Sequence, residues 1–399
     1  MSALTGENII CFSADDWWIH NPHANAHLML AFSERNKVLY INSTGIRVPD
    51  FKTDKFFAKR FVAKLKSFLR YFRRVRANMY VLTPFALPLF PRIEQQILTV
   101  NKWLLFVQIK VIQKMINLRR PIIWVTAPVF RDIAFLLKRR AGKALIYYCV
   151  DNFWQFPGVN APYIQQLEKD IQAQADITFF VNEQIAVERR AWGGTVSVST
   201  HGVDFDVFAE AGASTAVPSD MASLPRPIVG YIGEIKPLDF KMIKFLASEH
   251  RDKSFVFIGD IYEALRTYQF PDNVFFLGKK PYDELPAYMR QMDCFCLYYD
   301  IDDPFNRYRN PKKLLEYFAV GKPVISVELA PLNRFRECIY IATTKEEFSG
   351  YLSKVIRNDP AEMKQQRIEI ARAHTWECVA ARIGKKIRAV FDPPRTSPR

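Results

Sequence analysis

The stretch Arg309-Asn-Pro-Lys-Lys-Leu-Leu-Glu-Tyr-Phe-Ala-Val-Gly-Lys-Pro-Val-Ile-Ser326 reads as a loop, a short helix, a stop and a strand. Pro311 suits a first helical turn, where its missing N–H has no partner to lose, and Gly321 suits the residue that ends a helix. A helix feeding straight into an apolar strand is the repeating unit of a parallel α/β sheet. The open N–H groups near Pro311 and the dipole behind them suit a diphosphate, and Lys312 and Lys313 add charge beside it. Glu316, one turn on, is placed to accept hydrogen bonds from ribose hydroxyls. The plainer alternative is an amphipathic surface helix with Glu316 paired to a lysine.

The same alternation runs outward in both directions. Upstream, strand-like runs fall at residues 8–13, 37–42, 79–83, 122–126, 144–150, 176–181 and 195–199, with helical stretches at 24–33, 93–118, 130–140 and 163–175. Downstream, strands are expected at 228–232, 255–258, 274–277, 294–298, 323–327 and 339–342, with helices at 240–249, 311–319, 345–356, 361–374 and 376–391. Residues 209–227, rich in small residues and proline, read as a linker. The expected fold is α/β, two doubly wound Rossmann-like domains facing a cleft: an N-terminal domain over 1–208, a C-terminal domain over 228–375, and a last helix and tail, 376–399, packing back on the first. In such sheets ligands collect at the carboxyl ends of the strands.

With 56 lysines and arginines against 41 acidic residues, the net charge of +15 favours anionic partners. Much of it gathers between Lys52 and Arg76, ten cations with Asp54 the only acid. Phe57, Phe61, Leu65, Phe68 and Phe72 recur there at helical spacing. A basic amphipathic helix over 53–76 is expected, lying on an anionic membrane surface through Phe57, Phe61, Lys64, Phe68 and Arg73. A solvated surface helix and a nucleic-acid patch are the alternatives; no nucleic-acid motif accompanies the charge, and none is expected as a partner. The polar opening residues and the lack of a long apolar run predict a cytoplasmic chain attached from the side. The six cysteines read as small buried hydrophobes of a reducing compartment.

Asp151 ends the apolar run 144–150 and precedes an aromatic loop, Asn-Phe-Trp-Gln-Phe-Pro-Gly158, suited to holding a sugar. A carboxylate so placed can take a proton from a hydroxyl, and it can also cap the following turn. Asp16, Trp17, His27 and Phe153 are candidate acceptor contacts, with helix capping and core packing as the alternatives. Asp300-Ile-Asp302-Asp303 has an Asp-x-Asp form, read here as a loop rim; no metal and no cofactor is expected.

Several of these segments, taken in order, resemble the GT-B glycosyltransferases, especially family 4 and its bacterial relatives. They are His201-Gly-Val-Asp204 with Phe208, Gly230-Tyr-Ile-Gly-Glu234 with Asp239, Val256-Phe-Ile-Gly259, Asn273-Val-Phe-Phe-Leu-Gly278 and the 313–324 helix and strand. A closer likeness, through Tyr147-Tyr-Cys-Val-Asp151, Ala24-Asn-Ala-His27 and Lys313-Leu-Leu-Glu-Tyr317, is to the membrane-associated glucuronosyltransferase of xanthan assembly. The resemblance implies transfer from a nucleoside-diphosphate sugar, with UDP the implied nucleotide, to a lipid-linked glycan acceptor. It implies Asp151 as general base, Lys313 on the donor phosphate, and Gly233, Glu234, Asn310, Lys312 and Glu316 around the nucleotide. The second glutamate of family 4 falls on Tyr308 here, which breaks the retaining pattern and leaves an inverting displacement. A sugar-nucleotide epimerase of the same fold, needing no acceptor, and a non-catalytic basic lipid- or nucleic-acid-binding protein are the competing readings.

Overall fold

The computed structural model describes residues 4–18, 22–43, 70–87, 93–156, 159–209, 217–261, 265, 268–303, 306 and 309–391. The chain forms two compact units, Met1–Thr200 with Val379–Arg399, and His201–Cys378.

The first unit is built from β1 (Asn8–Phe12), α1 (Ala24–Ser33), β2 (Lys37–Ile41), β3 (Phe72–Arg76), β4 (Met79–Leu82), α2 (Glu94–Met115) and β5 (Ile122–Val125). There follow α3 (Arg131–Ala141), β6 (Ala144–Cys149), α4 (Ala161–Gln174), β7 (Ile177–Phe180), α5 (Glu183–Arg189) and β8 (Val196–Val198). Its eight strands run in the order β3-β4-β2-β1-β5-β6-β7-β8, parallel except for the β3–β4 pair. The central strands are apolar throughout because helices cover both faces; all six residues of β6 are buried. Strand order reverses between β1 and β5, so the loop after β1 opens at the switch point.

The second unit holds α6 (Phe205–Ala209), β9 (Ile228–Ile232), α7 (Phe240–Glu249), β10 (Ser254–Ile258), β11 (Val274–Phe276), α8 (Leu285–Gln291), β12 (Cys294–Leu297) and α9 (Lys313–Val320). Then come β13 (Val324–Val327), β14 (Tyr340–Ala342), α10 (Lys345–Val355), α11 (Ala361–Ala373) and the start of α12 (Trp376–Phe391). Six parallel strands take the order β11-β10-β9-β12-β13-β14, so the switch point lies between β9 and β12. The glycine expected to stop α9 does so: Gly321 has φ of 73°.

Three expectations need correcting. Residues 72–76 are not the end of a helix but the edge strand β3, paired antiparallel to β4. Arg74 closes that hairpin by donating from Nε and Nη2 to the Ala77 carbonyl, at 3.1 and 2.7 Å. The pairing satisfies backbone groups at the edge of β4 that a helix would leave open. Arg73 therefore stands exposed on a strand, whereas Phe57, Phe61, Lys64 and Phe68 lie outside the described residues. The second correction is the start of α9, at Lys313 and not Pro311. Leu314 N–H donates to the Pro311 carbonyl and Leu315 N–H to that of Lys312, each at 3.1 Å, so a tight turn precedes the helix.

The third concerns His201-Gly-Val-Asp204. This turn belongs to the second unit, ahead of the proline-rich stretch. Val203 N–H donates to the His374 carbonyl at 2.9 Å, and Phe208 is buried against Tyr282. A β-carbon on Gly202 would strike the Trp376 ring. From Val379 onward α12 belongs with the first unit, where Gly384 lies against Leu4 and Lys386 Nζ donates to Ser197 Oγ at 2.5 Å.

Candidate active site

At the switch point of the second unit, Gly233 follows the last residue of β9 and Tyr299 lies two residues past β12. Gly233 has φ of 138°, a conformation side chains avoid, and its N–H donates to the Ile258 carbonyl at 2.8 Å. The space a β-carbon would fill there holds the tip of Lys313 instead. From the first residue of α9, Lys313 Nζ donates to the Tyr231 hydroxyl at 2.6 Å, and that hydroxyl donates on to the Glu234 carbonyl at 2.7 Å. The ammonium also lies 4.1 Å from the Tyr231 ring centre and 5.6 Å from that of Tyr299. Burial among these rings holds its pKa below the ordinary lysine range. Half-buried and aromatic-lined, it is a cation arranged for an incoming anion.

Around it stand further charges. Lys312 Nζ lies 3.1 Å from Glu316 Oε1, so the plainer alternative, a lysine pair for Glu316, is present in the structure. Glu316 is nonetheless buried, on the first turn of α9. Arg309 donates from Nε to Asn306 Oδ1 at 2.6 Å, packs over Tyr299 and places Nη2 3.8 Å from Glu234. His201 hydrogen-bonds the Asn310 backbone, and its Nδ1 is buried without a partner. Burial, with Lys312 and Arg334 nearby, pushes the His201 pKa down to about 4. Asp204 accepts from the Tyr282 hydroxyl at 2.9 Å, and Lys312 lies over the Tyr282 ring. Sequence reasoning missed Tyr231, Tyr299 and His201; position at the carboxyl ends of β9 and β12 was the only available signal for the two tyrosines.

In the first unit Asp151 lies exposed just beyond β6, with Oδ1 accepting from the Asn152 N–H at 3.0 Å. The loop it begins is anchored from below by Arg189, which is almost wholly buried. Its Nη1 lies 3.1 Å from Glu168 Oε1 and 3.2 Å from Cys149 Sγ, while Nη2 donates to Asn152 Oδ1 at 2.6 Å. The guanidinium packs on Trp154 and Trp192, 4.4 and 5.1 Å from their ring centres. Tyr147 donates to Glu168 at 2.5 Å, and the Cys149 thiol, whose pKa burial raises to about 12, donates to the Asp151 carbonyl at 3.3 Å. A buried arginine is tolerated here because its charge is paired and its donors are used. Nothing in Glu183-Gln-Ile-Ala-Val-Glu-Arg189 marks that last residue as the one facing inward.

The structure places the other expected residues as follows. Asp16 is buried after β1 and accepts from Trp18 N–H and Asn42 Nδ2, which ties the loop to the end of β2. Trp17 is partly exposed, edge-on to Tyr40 at 5.1 Å. His27 is buried within α1, and Phe153 is buried with Ile164 and Leu167, so both side chains serve packing in this conformation. Asp300 Oδ1 accepts from Asp302 N–H at 3.0 Å and so closes its own turn. Among the described residues no three His, Cys, Asp or Glu side chains gather as metal ligands.

Residues 226–358 match the family model described as Glycosyl transferases group 1, the segment that carries β9 to α10 and the Lys313 site. The fold is GT-B and the chain is a glycosyltransferase. Its similarity to individual proteins is more distant. It is 28% identical over 299 residues to the teichuronic acid biosynthesis glycosyltransferase TuaH of Bacillus subtilis, spanning 67% of this chain and 72% of that one. Among solved structures, sucrose-phosphate synthase of Thermosynechococcus elongatus superposes with a TM-score of 0.68 at 14% identity, covering 96% of this chain and 99% of that. HepE of Anabaena, solved with UDP and glucose, gives 0.64 at 15% identity over 96% and 100% of the two chains.

Proposed function

We propose that this chain moves a sugar from a UDP-sugar to a hydroxyl of a membrane-borne, lipid-linked glycan in the assembly of a cell-wall polysaccharide, on the cytoplasmic face. The observation that carries the donor half is Lys313, its ammonium held by Tyr231 beside Gly233 at the start of α9. Support for UDP comes from HepE, whose structures hold UDP and UDP-glucose. Support for the polysaccharide comes from TuaH, named for teichuronic acid biosynthesis. The basic Lys52–Arg76 segment supports a membrane-borne acceptor.

Lys313, the N–H groups at the start of α9 and the close backbone at Gly233 hold the diphosphate; Glu234 and Asn310 flank it. Glu316 holds the ribose, and Lys312 shares its charge between Glu316 and the phosphates. The acceptor oxygen bonds to the anomeric carbon as the bond to the diphosphate breaks, with the electron pair leaving on the diphosphate. The acceptor proton passes to Asp151, giving a single inverting displacement. Stabilising the departing charge is the largest contribution to rate in such sites. The likeness of Tyr147–Asp151 to the xanthan glucuronosyltransferase supports Asp151 in that role, and Arg189 keeps its loop in place.

A thermal-shift panel of UDP, GDP, ADP and CMP on the wild type and Lys313→Ala tests the donor site. At a hundred times its Kd a ligand adds about 2.7 kcal/mol. Stabilisation of the wild type alone by one nucleotide supports the reading. No nucleotide effect on either protein sinks it.

A further inference from the structure

The 22-residue helix α2 is apolar on two sides. One side, with Ile97, Leu105, Ile109 and Ile112, is buried in the first unit. On the other, Val100, Trp103, Val107, Val111 and Met115 are 45–68% exposed. Their spacing of three or four residues keeps them in a single stripe along the helix. Beside it runs the extended segment 83–87, laid against α2 by two side-chain amides. Asn101 and Gln108, two turns apart, each exchange a pair of hydrogen bonds with a backbone residue, Leu87 and Phe85 respectively, at 2.7–3.0 Å. Phe85 and Leu87, alternate residues of an extended chain, are 54% and 38% exposed. Amide side chains thus satisfy the backbone of a segment that presents apolar groups outward. The result is a continuous apolar ridge, and ridges of this kind mark interaction surfaces.

The charge around the ridge says what covers it. Lys110 and Lys114 stand along one edge of the stripe, and Glu94 is the only acid of α2. Segment 83–87 continues β4, and Thr83 N–H donates to the Tyr71 carbonyl at 2.8 Å, so exposed Arg70 lies near its start while β3 runs back along β4. On that strand Arg73 is exposed, while Arg74 is held by the Ala77 carbonyl and Arg76 pairs with Glu34 at 2.9 Å. Two copies of such a surface would oppose cation to cation. An anionic bilayer satisfies both halves, the apolar ridge and the cationic border.

We propose that the α2 ridge with Phe85 is the face by which this chain lies on an anionic lipid bilayer, with Lys110, Lys114 and Arg70 meeting lipid phosphates. This rests on the membrane placement proposed above and assigns it to α2 and segment 83–87. The test is co-sedimentation of the full chain with vesicles of phosphatidylcholine alone and of phosphatidylcholine mixed with phosphatidylglycerol. Wild type, Val107→Ser/Val111→Ser and Lys110→Ser/Lys114→Ser are compared, with brominated lipid as a quencher of Trp103, identified by difference from Trp103→Phe.

The wild type is expected to bind the anionic vesicles, each double variant roughly tenfold more weakly, and the Trp103 emission to be quenched. Melting temperature and UDP binding, measured alongside, should be unchanged in the variants. Binding by the valine variant equal to wild type, or unquenched Trp103, overturns the ridge while leaving attachment elsewhere. Failure of the wild type to bind anionic vesicles overturns both the ridge and the membrane placement, and UDP binding then judges the donor site on its own. A change in oligomeric state with unaltered vesicle binding assigns the ridge to a second copy and also overturns the proposal.

Discussion

Lys313 and Gly233 share one piece of space: the lysine's ammonium end occupies the position a side chain at residue 233 would need. Gly233 follows the end of β9 and Lys313 begins α9, 80 positions on, and the lysine tip fits only because residue 233 has no side chain. A glycine at φ 138° relieves the backbone, and its missing β-carbon admits the cation. Gly233→Ala should therefore displace Lys313 as well as strain the loop. The expected result is loss of UDP stabilisation together with destabilisation of about 1–3 kcal/mol, read from urea melts with and without UDP. Retention of wild-type UDP affinity in this variant would show that Lys313 needs no such berth.

The lysine's lowered pKa gives the donor site a pH signature. The protonated form binds diphosphate and exists below the folded-state pKa. Since burial brings that value below the ordinary lysine range, UDP affinity should fall as pH rises, and earlier than the 10.4 or so of a free lysine would allow. Lys313→Arg, always charged, should flatten the fall. Titration calorimetry across the alkaline range decides it.

Asp151→Asn should leave UDP binding intact and lower kcat by about 10²–10⁴, the usual contribution of a general base. A product that keeps the donor's anomeric configuration would rule out the single displacement assigned to Asp151.

Arg189 and Glu168 form a buried pair, and removal of one partner leaves the other charged in the core. Arg189→Met should cost about 3–5 kcal/mol, and Arg189→Met/Glu168→Leu should recover much of it. Because Arg189 also holds Asn152, the recovered double variant should still be slow in kcat with a near-normal KM for UDP-sugar. Stability restored together with full kcat would confine Arg189 to a structural role.

His201 sets a limit on acid stability. Its pKa in the folded chain, about 4, lies below the ordinary value of 6.5, so the unfolded chain takes up the proton first. Stability is complete above pH 6.5 and falls as pH drops toward 4, by up to about 3 kcal/mol at about 1.4 kcal/mol per pH unit. His201→Asn should flatten that part of the curve in urea titrations between pH 4 and 7.

The sequence by itself determined the two sheets and most of their helices, because near-continuous β-branched runs and 3.6-residue periodicity are local signals that burial on both faces enforces. Ala24–Ser33, Ile228–Ile232 and Phe240–Glu249 have the bounds their patterns suggested. It also pointed to Lys313 and Glu316, since a proline, two lysines and a glycine stop mark a helix end in the local chain. Only the tertiary structure decided that Phe72–Arg76 is a strand. Those residues suit a basic helix by themselves, and the open edge of β4 outweighs that preference. The same is true of Tyr231 under the Lys313 ammonium, His201 beside Asn310, and Arg189 beneath Asn152. Each is a polar group whose partner lies on another strand or helix, and the free energy of satisfying it in the interior depends on packing that no stretch of sequence contains.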